Sequence, residues 1–335
     1  MVKIGIVGYG YWGKNLVRNF INLSTCEVRF VCEKDKKNSK QCQSLYPQIN
    51  VVENYETLIH DSQLDAIVIA TPVDTHYKLA KEALINNKSV LVEKPLTSSF
   101  VEAQELVKLA AKQKKTLMVD HTFLYTGSVI FLKNKIDSNY FGEIQYIDST
   151  RINLGLFQHD VNVLWDLAPH DISICNYLLG KKPLSVQAVG VSHTTNNIEN
   201  IAYLTLNYEN NIIAHFNCSW VSPVKIRQML IGGTKKMILY NDMEPSEKIK
   251  IYDSGYHHVT VEKRNDILVD YRIGDINVPK IKMTEALQLM AKDFVNSIKN
   301  NVEPASSGKL GLEVVEVLDA AEKSIKNGGI AICLE

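Results

Sequence analysis

Short apolar runs alternate with amphipathic stretches through the first 120 residues. Lys3–Val7 (KIGIV), Val28–Cys32, Ala66–Ala70 (AIVIA), Ser89–Val92 and Thr116–Val119 have the length and β-branched content of strands. Lys14–Asn22, Tyr55–His60, His76–Asn86 and Ser99–Gln113 carry helical spacing between them. In the last of these Val101, Leu106, Val107, Ala110 and Ala111 share a face, with Ser98 or Ser99 placed to cap its start. Ala66–Ala70, enclosed by Asp65 and Thr71-Pro72, predicts a strand buried on both faces. The alternation predicts an α/β domain over residues 1–122, a doubly wound parallel sheet of Rossmann type.

Beyond residue 122 the pattern changes. Ile144–Arg151 reads as a strand, and Val163–Leu179 as a helix despite Pro169. Ile201–Tyr208 and Ile212–Trp220 flank Glu209-Asn210-Asn211 as a hairpin, and Met229–Ile231 and Met237–Tyr240 flank Gly232-Gly233 as another. Strands in succession predict an α+β domain over 123–335 with a mainly antiparallel open sheet. Two closing helices, about Glu285–Ile298 and Lys309–Lys326, have apolar faces with which to pack back on the first domain.

Composition narrows the function classes. The chain has 335 residues, 45% hydrophobic and 22% charged, as in an ordinary globular protein. Its 37 basic residues balance 37 acidic ones, which disfavours a nucleic-acid binder, since displacing counterions from phosphates needs excess Lys and Arg. No apolar run approaches the roughly eighteen residues of a membrane span, and the start does not read as a signal peptide. Six cysteines without a CxxC pair predict reduced thiols rather than a metal site. The expected location is the cytoplasm.

Gly8-Tyr9-Gly10-Tyr11-Trp12-Gly13 is a GxGxxG that leaves the first strand and opens a helix. Its glycines permit a tight turn, close approach of backbone to a pyrophosphate and close helix–strand packing, while the helix start supplies amides. Glu33, after the second strand, stands where an acid accepts hydrogen bonds from a ribose. A 2′-phosphate there would meet the carboxylate at a cost of about 4 kcal/mol at 4 Å and an effective dielectric near 20, which predicts NAD over NADP. Lys34, Lys36 and Lys37 would offset that repulsion and keep NADP as the alternative. Tyr11 gives the loop an aromatic character, and Trp12 either covers the cofactor or packs beneath the first helix.

Together with the stretches IVIATPVDTH (Ile67–His76) and SVLVEKPL (Ser89–Leu96), this loop resembles the glucose–fructose oxidoreductase / inositol dehydrogenase / MocA family. The likeness runs over nearly the whole chain, strongest at 1–125 and 163–180. It implies that Glu93-Lys94-Pro95 is the family's Glu-Lys-Pro signature, with Lys94 beside the nicotinamide and the reacting oxygen and Glu93 near the cofactor. Thr71, Pro72 and His76 resemble the loop over the cofactor's ribose and nicotinamide, although His76 also suits a surface position at a helix start. Asp166 and His170, in Trp165–Ile172 (WDLAPHDI), match the family's Asp-x-x-x-His; on a helix they share a face, and the acid would orient a basic imidazole. Ser173 replaces an acid the family often carries three residues after the histidine, and Asp171 points elsewhere on the helix. His121, Tyr125, Arg151, Asn153 and Asn162 are weaker candidates for substrate contacts, with Gln158 and His159 in the same polar run. His193 and His215 read as structural.

The resemblance implies hydride transfer between nicotinamide and a secondary hydroxyl or ketone of a sugar. It is most similar to members acting on nucleotide sugars of the UDP-N-acetylhexosamine type, with free sugars or inositols as the alternative. Readings of another class are an NAD-dependent glycoside hydrolase and a non-catalytic NAD-binding sensor. Whether Lys94 or His170 takes the proton stays open. A homodimer or homotetramer through the open sheet face is the expected assembly.

Overall fold

A computed structural model describes residues 1–155, 157–158, 161–195, 197–258 and 269–334. They divide into two compact units, Met1–Thr126 with Thr284–Glu316, and Gly127–Met283 with Val317–Glu335. The cofactor unit is thus larger than a cut at residue 122 suggests, because the chain returns to it after Met283.

In the first unit β1 (Val2–Val7), α1 (Tyr11–Ile21), β2 (Cys26–Cys32), α2 (Lys36–Leu45), β3 (Asn50–Val52), α3 (Glu56–Ile59), β4 (Ala66–Ile69), α4 (Val73–Ile85), β5 (Ser89–Glu93), α5 (Phe100–Gln113) and β6 (Leu117–Asp120) follow in turn. The strands form a parallel sheet in the order β3-β2-β1-β4-β5-β6. The chain therefore reverses its winding between β1 and β4, and the carboxyl ends of those strands open the crevice where doubly wound sheets bind ligands. Every side chain of β4 and β5 is buried, so their near-continuous apolar character is the signature of helices on both faces. Ser99 caps α5 by accepting from the Glu102 N–H.

The second unit begins with α6 (Gly127–Asp137), β7 (Ile144–Ile152) and α7 (Val163–Leu179), and continues with β8 (Ser185–Val191), β9 (Ile201–Asn207), β10 (Ile213–Ser219), β11 (Ile226–Gly233), β12 (Met237–Asn241), β13 (Ile249–His258) and β14 (Val269–Asn277). Two more helices, α8 (Ala286–Asn300) and α9 (Gly308–Lys326), and the short β15 (Ile332–Cys333) complete the chain. Among the described residues the sheet runs β14-β13-β12-β11-β7-β10-β9-β8-β15. Its one parallel pairing here is β7 with β10; the other neighbours are antiparallel. Both expected hairpins form, β9 with β10 and β11 with β12.

The two faces of this sheet differ. Ala188, Leu204, Ala214, Phe216 and Ile231 point to the side that α7 covers and are buried. Register places Val189, Tyr203, His215, Asp148 and Leu230 across the other side, where Val189, Tyr203 and Leu230 are 50%, 44% and 39% exposed. Gly232 also lies on that side, opposite Tyr146, and a Cβ at position 232 would fall 2.0 Å from the Tyr146 ring. The glycine is required because the tyrosine ring lies over it.

Helix α8 returns to the first unit. Phe294 meets Phe20 of α1 edge-to-face at 6.2 Å, and Glu285 accepts from Arg18 and Asn19. No helix among the described residues is long and apolar enough to cross a membrane.

Candidate active site

The glycine loop is built as its sequence demands. Gly8 has φ +93°, a left-handed conformation, and a Cβ there would sit 2.4 Å from the Ala70 carbonyl oxygen. A Cβ on Gly13 would lie 2.1 Å from the Gly8 oxygen, so α1 approaches the loop with no room for a side chain. Gly10 differs, since nothing stands within 4 Å of where its Cβ would be. As N-cap of α1 it offers no capping side chain, leaving first-turn amides directed outward with the positive end of the helix dipole. Open space at a helix start is what an incoming phosphate needs.

A cleft of about 620 Å³ adjoins the loop, lined by Gly8, Gly10, Glu33, Thr71, Pro72 and Tyr55 among others. Glu33 Oε2 accepts from the Tyr9 N–H at 2.7 Å, and Oε1 from the Asp35 N–H at 2.8 Å. The acid is therefore fixed at the cleft by two backbone donors, with lone pairs left for ribose hydroxyls. Tyr11 and Trp12 are 79% and 44% exposed and meet edge-to-face at 5.3 Å. This excludes Trp12 from packing beneath the first helix. Open glycine, uncapped helix start and fixed acid together fit a dinucleotide.

His76 is neither on the surface nor in the cleft lining. It is buried in the first turns of α4, with Nδ1 2.9 Å from the Pro95 carbonyl and Nε2 2.8 Å from the Thr71 carbonyl. Burial pushes its pKa down, against the pull of these carbonyls. It braces the Thr71-Pro72 turn against the segment that follows Lys94, and its burial corrects the surface reading of this residue. The Lys94–Pro95 peptide itself is cis.

Lys94 leaves the carboxyl end of β5. Its charge acts on three buried neighbours, Glu93, Asp120 and His121. Glu93 is buried beside Asp120 and accepts from the Lys94 backbone N–H at 3.3 Å. Burial and the neighbouring acid raise its pKa well above the usual carboxylate range. His121, 1% exposed, has no partner for either ring nitrogen among the described residues. Burial, and then the Lys94 charge, push its pKa down to about 3.

In the second unit α7 carries Asp166 and His170. Asn162 caps this helix by accepting from the Leu164 and Trp165 amides, and donates to Glu199. Pro169 removes the N–H that would bond the Trp165 carbonyl, yet the helix continues across it. Asp166 Oδ2 accepts from the Trp220 indole at 2.9 Å, and Trp220 is buried and stacked on Phe157 at 5.7 Å. Ser173 donates to the His170 carbonyl.

Three of the weaker substrate candidates have internal partners instead. Arg151 is 5% exposed and forms a bidentate pair with Asp171, Nε to Oδ2 at 2.9 Å and Nη2 to Oδ1 at 2.6 Å. Tyr125 donates to Asp293 at 2.7 Å and accepts from the Ser306 N–H. Asn162 is the helix cap. Each side chain thus helps to hold the fold. Asn153 donates its backbone N–H to Ser219, Gln158 is half-buried, and His159 lies outside the described residues. His193 bonds Asn200, and His215 stacks on Tyr203 at 6.2 Å. Sequence reasoning missed Asp120 and Trp220. Asp120 had a readable signal, an acid ending the strand next to the one that ends in Glu93; Trp220 had none.

Comparison with known proteins follows the same division. A family model described as an oxidoreductase family with an NAD-binding Rossmann fold matches residues 2–121. A second, the GFO/IDH/MocA C-terminal domain, matches residues 129–239. UDP-N-acetylglucosamine 3-dehydrogenase of Acidithiobacillus ferrooxidans is 24% identical, over 94% of each chain. Inositol 2-dehydrogenase of Rhizobium meliloti is 21% identical, over 97% of each chain. A solved structure of the Acidithiobacillus ferrooxidans dehydrogenase superposes with a TM-score of 0.78 at 22% identity, covering 96% of this chain and 98% of the other.

Proposed function

The chain belongs to the GFO/IDH/MocA family of NAD-binding oxidoreductases, and on that footing we propose that it interconverts a secondary alcohol and a ketone on a nucleotide-activated sugar. The substrate class we assign is a UDP-N-acetylhexosamine, with reaction at C3. Its support is the resemblance to the UDP-N-acetylglucosamine dehydrogenase over nearly full length. The inositol dehydrogenase relative supports a free polyol as the second reading.

The observation that carries the reaction type is Lys94, at the carboxyl end of β5 in the unit that holds the dinucleotide cleft. NAD, when bound, supplies the hydride acceptor or donor. Lys94 places a positive charge at the substrate oxygen, where alkoxide character develops. His170, on the helix whose Asp166 is anchored by Trp220, exchanges the hydroxyl proton. Glu33 selects NAD over NADP by excluding a 2′-phosphate. Assembly into a dimer or tetramer through the open sheet face belongs to the same proposal.

The test is reduction of NAD⁺ and NADP⁺ against UDP-sugars, hexoses and inositols, with Lys94→Ala and His170→Ala alongside. Turnover with a UDP-sugar is expected to fall by about 10²–10⁴ in each variant, while NADH binding is retained. Variants that turn over like the wild type would sink the assignment of both residues. Sugar release without NADH accumulation would point to the hydrolase class instead.

A further inference from the structure

Glu93 and Asp120 are register partners at the carboxyl ends of adjacent strands, β5 and β6. They are 8% and 2% exposed, and each carboxyl group acts on the other. Two carboxylates offer only acceptors, so a hydrogen bond between them forms only when one of them carries a proton. The remaining contacts agree. Glu93 Oε2 accepts from the Lys94 N–H, and Asp120 Oδ1 accepts from the Thr122 hydroxyl at 2.6 Å. Glu93 Oε1 and Asp120 Oδ2, both buried, have no hydrogen-bond partner among the described residues while both acids are ionised. One proton between the two acids satisfies the pair.

The charge balance points the same way. Two buried negative charges on neighbouring strands repel, and burial penalises each. Burial and Asp120 raise the pKa of Glu93; burial raises that of Asp120, against the pull of the Thr122 and Glu93 hydrogen bonds. The Lys94 charge lowers both, which opposes loss of the last anion. Among the described residues, Tyr125 also feels Asp120 and donates its hydroxyl to Asp293, while His121, next in sequence to Asp120, is held low by burial and the Lys94 charge.

We propose that Glu93 and Asp120 hold one proton between them at neutral pH, as a monoanion that fixes the charge and position of the Lys94 ammonium. They are positioning residues, acting through Lys94. The proposal rests on the reading of Lys94 as the group at the substrate oxygen, and deepens it. A lysine kept charged by one adjacent anion serves as the electrostatic partner of the oxygen, leaving His170 to take the proton.

Infrared difference spectra of the intact protein read the shared proton directly. At neutral pH, wild type minus Glu93→Gln and wild type minus Asp120→Asn should each show the C=O stretch of a protonated carboxylic acid. In each variant the remaining acid, relieved of its neighbour, ionises beside Lys94. The acylation rate of the Lys94 amine, followed by peptide mass spectrometry, reads the charge. Either single variant keeps one anion and the wild-type rate. The double variant removes the anion and raises the rate about tenfold, the change for one pKa unit.

No acid band in either difference spectrum overturns the shared proton. Equal Lys94 reactivity in wild type and double variant overturns its control over Lys94. If the double variant fails to fold, the band's own titration decides the matter: it must persist above the ordinary carboxylate range, and its loss within that range refutes the pair. None of these measurements uses a substrate, so failure of the sugar-oxidoreductase reading shows separately, in the turnover screen.

Discussion

His121 has been placed where acid cannot readily charge it. Its ordinary pKa is 6.5, but burial and the Lys94 charge hold it at about 3. Between those values the unfolded chain binds a proton that the folded chain does not. Stability is thus present above pH 6.5 and lost as the pH falls, at up to about 1.4 kcal/mol per pH unit from this one group. His76, also lowered by burial, adds to the same trend. Glu93, raised by burial, has the opposite sign, favouring the folded state less as pH rises above its ordinary 4.5. Unfolding free energies of His121→Gln from urea titrations between pH 6.5 and 5 should fall less steeply than those of the wild type, by up to that amount. Parallel curves for the two proteins would show that His121 takes up its proton without unfolding.

At the scale of elements, the start of α1 offers the cleanest separation of fold from ligand. Gly10 has ordinary negative φ and open space around its missing Cβ. Gly10→Ala should therefore melt within about 0.5 kcal/mol of wild type, yet lose NAD affinity by tenfold or more, which calorimetric titration measures. Unchanged affinity would mean that the phosphates do not approach this amide. The βα alternation was legible because β4 is apolar throughout, β1 and β5 carry apolar cores, and their helices keep a regular stripe. The helix α2 was not, because in KKNSKQCQSL only Cys42 is buried. The strand β8 escaped notice because Val189 and Val191, on its exposed face, erase the polar half of its alternation. Of the site, the motif residues were legible from spacing and family likeness. The internal partners of Arg151, Tyr125 and Asn162 were not, because a polar side chain near a motif looks the same whether it meets a sugar or a buried aspartate. Only a three-dimensional partner, such as Asp171 for Arg151, tells the two apart.

For the molecule as a whole, the uncovered side of the second sheet is the feature that bears on assembly. Val189, Tyr203 and Leu230 leave apolar area on a face that register makes continuous across β8, β9, β10, β7 and β11. Large apolar side chains exposed on an uncovered sheet face favour association. Tyr203→Glu is expected to shift the protein to a smaller species in sedimentation while leaving the cofactor cleft intact. A wild type that already sediments as a monomer would remove this face from the assembly. Tyr146, lying over Gly232 on the same side, carries a consequence of its own. In a two-fold pair each copy presents the same patch, so any change there is made twice. Enlarging residue 232 would lift one tyrosine ring on each copy, and a penalty of about 1 kcal/mol per ring would weaken the pair by about thirtyfold. A single methyl group would thus act as a dial on how dilute the protein can become before its copies part.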